Sequence, residues 1–217
     1  MILKESNREK NSYHMQRLEA LTAFVMNEHA RVLAFGLDLY LPQHNQHKGH
    51  ESAVITRFIA SLKAQIAAYL KKRSREGKRL YPCPVYYAWA REFGEINGNK
   101  HYHLVLLVNR EVFTKSMLAR DMNGKARGFL LMMAVKAWCH ALKLRAGTQE
   151  NVRFWLPGVF ELNRRQGTDS PDYMNYLNRI CYLAKKRSKE NDDGERNFGC
   201  SQYKAKAKSN LLPEKSL

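Results

Sequence analysis

Apolar residues recur at helical spacing from Arg8 to Ala30, at Met15, Leu18, Leu21, Phe24 and Val25, which predicts an opening helix. The character then changes. Arg31 to Leu41 is a continuous apolar run stopped by Pro42 and reads as a buried strand. After a polar loop over 43–49, Ser52 to Lys72 carries Val54, Phe58, Leu62, Ile66 and Leu70 on one stripe, an amphipathic helix. Pro84 to Glu92 and His101 to Val108 are strand-like and flank Asn97-Gly98-Asn99, so the pair predicts a β-hairpin turning over Gly94–Lys100. Lys115 to Met122 and Ala126 to Leu144 read as helices separated by Asn123-Gly124. Asn151 to Asn163 is strand-like with a bend at Pro157-Gly158. Pro171 suits a first helical position and predicts a helix from Asp172 to about Lys186. The order predicts one α+β domain, an antiparallel sheet with helices mainly on one face. It divides into an N-terminal helix (1–30), a folded body (31–190) and a basic tail (191–217), flexible after Phe198.

Charge narrows the partner. Lys and Arg outnumber Asp and Glu by 37 to 20, a net charge of +17, which attracts polyanions and puts nucleic acid ahead of an anionic membrane surface. No uninterrupted apolar stretch of about 18 residues is present, so no membrane span is expected. The first ten residues lack the apolar core of a signal peptide, which predicts the cytoplasm. Cys83, Cys139, Cys181 and Cys200 are far apart with no CxxC pair, against a zinc ribbon or a disulfide framework.

Two clusters carry chemistry. Within Lys100 to Asn109, His101 and His103 are two apart on a strand and project from one face, half of a divalent-metal site or a hydrogen-bonded surface pair. Glu92, at the end of the partner strand, is the favoured third ligand, and Glu95 in the turn the less favoured one. In the second cluster, Tyr182 and Lys185 are three apart on a helix and share a face. A phenol of pKa near 10 needs a cation or a metal-polarised electrophile to act as a nucleophile. Brought beside the metal, Tyr182 would attack a phosphodiester, with Lys185 lowering the phenol pKa or stabilising charge on the phosphate. Lys71, Lys72, Arg73 and Arg75, and Lys186, Arg187 and Lys189, would supply phosphate contacts, and the aromatics stacking partners for unpaired bases.

An HxH strand followed by Y-x-x-K on a later helix resembles the HUH endonucleases. A nearer resemblance is to the replication initiators of inoviruses, the gene-two-protein type, and their prophage relatives of the YagK/YfjJ kind. It rests on Arg91-Glu92-Phe93, on His101 to Asn109, on Tyr182 to Lys186 and on Arg196-Asn197-Phe198-Gly199-Cys200-Ser201, and spans Arg31 to Gln202. The resemblance implies an HUH/Rep-like palm, His101, His103 and Glu92 as ligands of Mg²⁺ or Mn²⁺, and Tyr182 as nucleophile. It implies a 5′-phosphotyrosine link to single-stranded DNA and a free 3′-hydroxyl for a host polymerase. Two departures matter. Lys186 stands where two-tyrosine initiators place their second tyrosine, while Tyr173 and Tyr176 read as packing residues. The chain has no Walker A sequence, so unwinding falls to a host helicase or to supercoiling.

Other features are less pointed. His44, His47 and His50 read as a solvated loop. Asp38 shares parity with Ala34 and Gly36, and Ala88 and Ala90 precede Glu92. If these form one surface, it leaves room for a nucleotide strand, with Asp38 positioning the metal or a base, or simply ending its strand. The alternatives to a nicking enzyme acting in replication of a phage, prophage or mobile element are a non-catalytic origin or operator binder and an RNA-binding protein. No small-molecule substrate is expected.

Overall fold

The computed structural model describes residues 10–41, 51–93, 100–144, 154–155, 158–185 and 194–203, with backbone alone at 51–52 and 154–155. The sheet is built from β1 (Arg31–Tyr40), β2 (Tyr86–Phe93), β3 (Lys100–Asn109), β4 (Phe154–Trp155), β5 (Val159–Asn163) and β6 (Phe198–Cys200). β3 lies between β1 and β2, β6 is on the outer edge of β2, and β4 and β5 run along the outer edge of β1, all antiparallel. The Gly36 N–H donates to Gly158 C=O at 2.9 Å between the β4 and β5 pairings, where the expected 151–163 strand bends. Residues 151–153 and 156–157 of that stretch lie outside the described residues, as do residues 94–99, where the hairpin turn was expected.

Val32 to Leu39 are buried without a break because helices cover both faces of the sheet. α2 (Glu51–Arg75) and α3 (Phe129–Ala141) pack on the face of Leu33, Phe35, Leu37, Leu104 and Leu106. α1 (Ser12–Glu28) and α4 (Pro171–Ile180) pack on the face of Val32, Ala34, Ala88, Ala90, Val105 and Leu107. The α+β class and single antiparallel sheet match expectation, but the helices divide between the faces. Both parities of β1 and β3 are apolar, and each needs a cover.

Local differences have local causes. Asn11 caps α1 by accepting from His14 N–H at 3.2 Å. The expected 115–122 helix is a 3-10 turn over Lys115–Leu118. It is followed by a loop in which Asp121 accepts from the N–H groups of Asn123 and Lys125, so a local side-chain bond replaces the helical ladder. α3 therefore starts at Phe129 rather than Ala126. α2 is long and apolar enough to cross a membrane by length and composition, yet its stripe of Val54, Phe58, Leu62 and Ile66 lies in the core.

The largest correction concerns the C-terminal segment. Expected as tail from 191 onward, it contributes β6 at Phe198–Cys200. Ser201 Oγ accepts from Tyr87 N–H at 2.9 Å, and Tyr203 stacks on Phe24. The fully buried Arg91 guanidinium holds this segment, donating to Asn197 Oδ1 and to the Glu195 carboxylate. Gly199 lies against Trp89, where a Cβ would come within 2.6 Å of the indole.

Candidate active site

In an antiparallel pair, residues directly opposite share a face. β3 sets His103 opposite Asp38 of β1 and Ala90 of β2, and His101 opposite Tyr40 and Glu92. Asp38, Glu92, His101 and His103 thus converge on the α1/α4 face, at the end of the sheet where β1 and β2 finish and β3 begins. The Nε2 atoms of His101 and His103 are 3.0 Å apart, and Glu92 Oε2 is 3.1 Å from His103 Nε2 and 4.0 Å from His101 Nε2. Among the described residues these three offer donor atoms within 4.8 Å of one another. Glu92 and His103 are buried, and the His101 ring stacks on Tyr40 at 5.2 Å.

Protonation decides what the cluster suits. His103 Nδ1 lies 2.6 Å from Asp38 Oδ1, leaving Nε2 directed at Glu92 and His101. Burial alone lowers the pKa of His103, but the hydrogen bonds and charges of Asp38 and Glu92 outweigh it and raise the value above the ordinary 6.5. A carboxylate on each ring nitrogen calls for positive charge: an imidazolium, or a cation at Nε2 in place of its proton. Two imidazole nitrogens and one carboxylate oxygen, with a second carboxylate fixing the ring from behind, fit a divalent metal.

Tyr182 joins the cluster from a sequence distance of ninety residues, its hydroxyl donating to Glu92 Oε2 at 3.1 Å. α4 ends at Ile180, short of the expected Lys186, and tightens into a 3-10 turn over Cys181–Ala184. Residues three apart eclipse in such a turn. Lys185 accordingly lies over the Tyr182 ring, its Nζ 3.9 Å from the centroid and its side chain buried. His103 meets the same ring edge-on at 4.9 Å. The phenol pKa is pushed up to about 12, first by burial and then by Glu92, with Arg179 the opposing influence.

Some expected contributors lie elsewhere. Tyr69, near the end of α2, stacks on Phe113, which follows the Asn109 end of β3. Lys71, Lys72, Arg73 and Arg75 are therefore at the opposite end of the sheet from His101, a distance of roughly 26 Å along β3. Ala34, Ala88 and Ala90 are fully buried with Tyr176, Ile180 and Leu183, so the room left by small residues is filled by α1 and α4 and not open to a nucleotide strand. Tyr173 and Tyr176 are buried packing residues as expected, Tyr176 bonding Thr22 at 2.9 Å. His44, His47, His50, Glu95, Lys186, Arg187 and Lys189 lie outside the described residues. Sequence reasoning missed Arg179, which reaches toward Asp38 and the Tyr182 ring. Its signal was available: it precedes Tyr182 by the same three residues by which Lys185 follows.

Residues 1–201 match the family described as the YagK/YfjJ C-terminal domain. The chain belongs to that family. It is 31% identical over 197 residues to the uncharacterized protein YagK of Escherichia coli (strain K12), covering 87% of this chain and 92% of that protein. It is 28% identical over 201 residues to the uncharacterized protein YfjJ of the same organism, covering 88% and 94%. The matched span of this YagK/YfjJ-family chain takes in every residue of the cluster, from Asp38 to Lys185. No solved structure matches it.

Proposed function

We propose that this chain is an HUH-type, metal-dependent endonuclease that cuts single-stranded DNA by transesterification onto Tyr182. The observation that carries the reading is the Tyr182 hydroxyl 3.1 Å from the Glu92 oxygen that also meets His103, a nucleophile beside a metal-ligand set. A divalent ion such as Mg²⁺ or Mn²⁺ held by His101, His103 and Glu92 would polarise a phosphate oxygen and offset the carboxylate charge that holds the phenol protonated. Asp38 fixes the His103 ring. Glu92 Oε2 is the first acceptor for the phenol proton. A bond forms from Tyr182 Oη to phosphorus, and the bond from phosphorus to the 3′ oxygen breaks. That oxygen takes a proton from water, the phenol proton having gone to Glu92, and leaves as a 3′-hydroxyl, with the 5′ side held as a phosphotyrosine diester.

The excess of basic residues supports a polyanionic partner, and the exposed cations at the far end of α2 suit flanking DNA. In the cytoplasm of a bacterial host, such nicking would start replication of a phage, prophage or other mobile element, with a host polymerase extending the 3′ end and a host helicase unwinding ahead of it. The second reading is a non-catalytic DNA binder on the same scaffold, in which the Tyr182 hydroxyl serves only to hold Glu92. A denaturing gel separates the two. Single-stranded oligonucleotides incubated with protein and Mn²⁺ should yield a covalent adduct that EDTA, Tyr182→Phe and the paired His101→Ala/His103→Ala changes each abolish. DNA binding by wild type without an adduct supports the binder.

A further inference from the structure

Arg179 and Lys185 are both one short turn from Tyr182, but they face different surroundings. Lys185 is buried, its ammonium against the face of the phenol, and its backbone bridges to Lys10. Arg179 stays 37% exposed at its side chain, with the guanidinium carbon 5.6 Å from the Tyr182 ring centre. Its Nη2 is 4.0 Å from Asp38 Oδ2, at the outer limit of an ion pair and beyond hydrogen-bonding distance. Asp38 already commits its other oxygen to His103. The guanidinium borders a small, mainly apolar pocket of about 20 Å³ shared with Asp38, Phe160, Ile180, Tyr182 and Leu183, room for a water but not for a phosphate.

We propose that the exposed edge of Arg179 beside Tyr182 is a phosphodiester-binding subsite in which the guanidinium takes the two non-bridging oxygens of one phosphate, while Lys185 is a positioning residue behind the phenol ring. A planar fork matches two phosphate oxygens, whereas an ammonium presents a point charge. With Asp38 4.0 Å away at one edge and the side chain 37% exposed, the fork is accessible to a phosphate. The ligand class is a phosphodiester of single-stranded nucleic acid, and the assignment rests on the reading of the site given above. Arg179 would touch the substrate directly, so it differs in kind from Lys185.

The test is binding of a fluorescent short oligothymidylate, measured by anisotropy across a salt series in EDTA. Wild type is compared with Arg179→Gln, Arg179→Lys and Lys136→Gln, the last an exposed cation on α3, against the opposite face of the sheet. Loss of one phosphate contact lowers the slope of log affinity against log salt by about 0.7 for a single strand. Arg179→Gln should show that drop, with binding roughly tenfold weaker at low salt. Arg179→Lys should keep the slope with weaker binding, and Lys136→Gln should match wild type. An unchanged slope in a folded Arg179→Gln protein overturns the subsite, as does failure of wild type to bind. The adduct gel separates this from the catalytic reading. No adduct with a reduced slope leaves the subsite standing without the nuclease, and an adduct with an unchanged slope does the reverse.

Discussion

Asp38 Oδ1 stands 2.6 Å from His103 Nδ1 across the β1–β3 pair, and through that contact a residue sixty-five positions away in sequence sets which nitrogen faces Glu92 and His101. Without the carboxylate the ring could present either tautomer. With it, Nε2 is committed to the side of Glu92 and His101, where the proposed metal would sit. Asp38→Asn should keep the fold and weaken Mn²⁺ binding about 10–100-fold. Titration calorimetry on the variant reads this, and unaltered affinity would remove Asp38 from the account.

The same contact fixes a pH dependence. Asp38 and Glu92 hold the His103 pKa above 6.5, and metal binding at Nε2 must displace that proton. Metal affinity should therefore climb as pH rises through a midpoint above 6.5. Asp38→Asn withdraws one of the two carboxylates, so its midpoint should move to lower pH while its plateau falls. In EDTA the linkage runs the other way: the stability from charged His103 is complete below about pH 6.5 and is lost as pH rises through the folded pKa. Measured against His103→Gln, the wild-type stability advantage in EDTA should shrink toward alkaline pH. An advantage that grows there contradicts the raised pKa.

Tyr176 and Tyr182 follow one another along one helix and its terminal turn, but they are not equivalent. Tyr176 is buried, and burial raises its pKa while it bonds Thr22. Tyr176→Phe should cost about 1 kcal/mol, a fall in Tm of roughly 2–4 °C, and leave adduct formation at the wild-type rate. Tyr182→Phe should abolish the adduct. If Tyr176→Phe abolished it instead, the nucleophile would be misassigned.

Arg91 tests the integration of the C-terminal segment. Its guanidinium is 1% exposed, and it is held by Asn197 and Glu195. Arg91→Met strands a carboxylate and an amide and should destabilise the fold by about 3–5 kcal/mol in chemical denaturation. Gly199→Ala places a Cβ against the Trp89 indole and should cost about 1–3 kcal/mol, with a shift in tryptophan fluorescence. If neither change moved stability by more than about 0.5 kcal/mol, β6 would be dispensable to the fold.

What was legible in the sequence was local. The two-residue period of a strand placed His101 and His103 together, and the antiparallel pairing of the two strand-like runs brought Glu92 opposite His101. Asp38 could only be left open, because its pairing with His103 depends on the long-range β1–β3 register, which local periodicity does not encode. Helix placement failed for a related reason: an apolar run buried on both faces carries no alternation to say which face is covered. β6 is three residues long, too short for any period, and is held instead by the buried Arg91. Arg179 was passed over although an unbroken helix would equally have set it one turn before Tyr182, because its nearness to Asp38 depends on how α4 packs on the sheet, which local spacing does not encode.

The central claim is that Tyr182 becomes covalently joined to DNA beside a metal held by His101, His103 and Glu92. Peptide mass mapping after incubation with a pool of single-stranded oligonucleotides and Mn²⁺ tests it most directly. The account predicts that the peptide bearing Tyr182 gains a 5′-linked nucleotide, and that EDTA prevents the gain. A nucleotide on any other residue, or none on a protein that binds the same pool tightly, would contradict it.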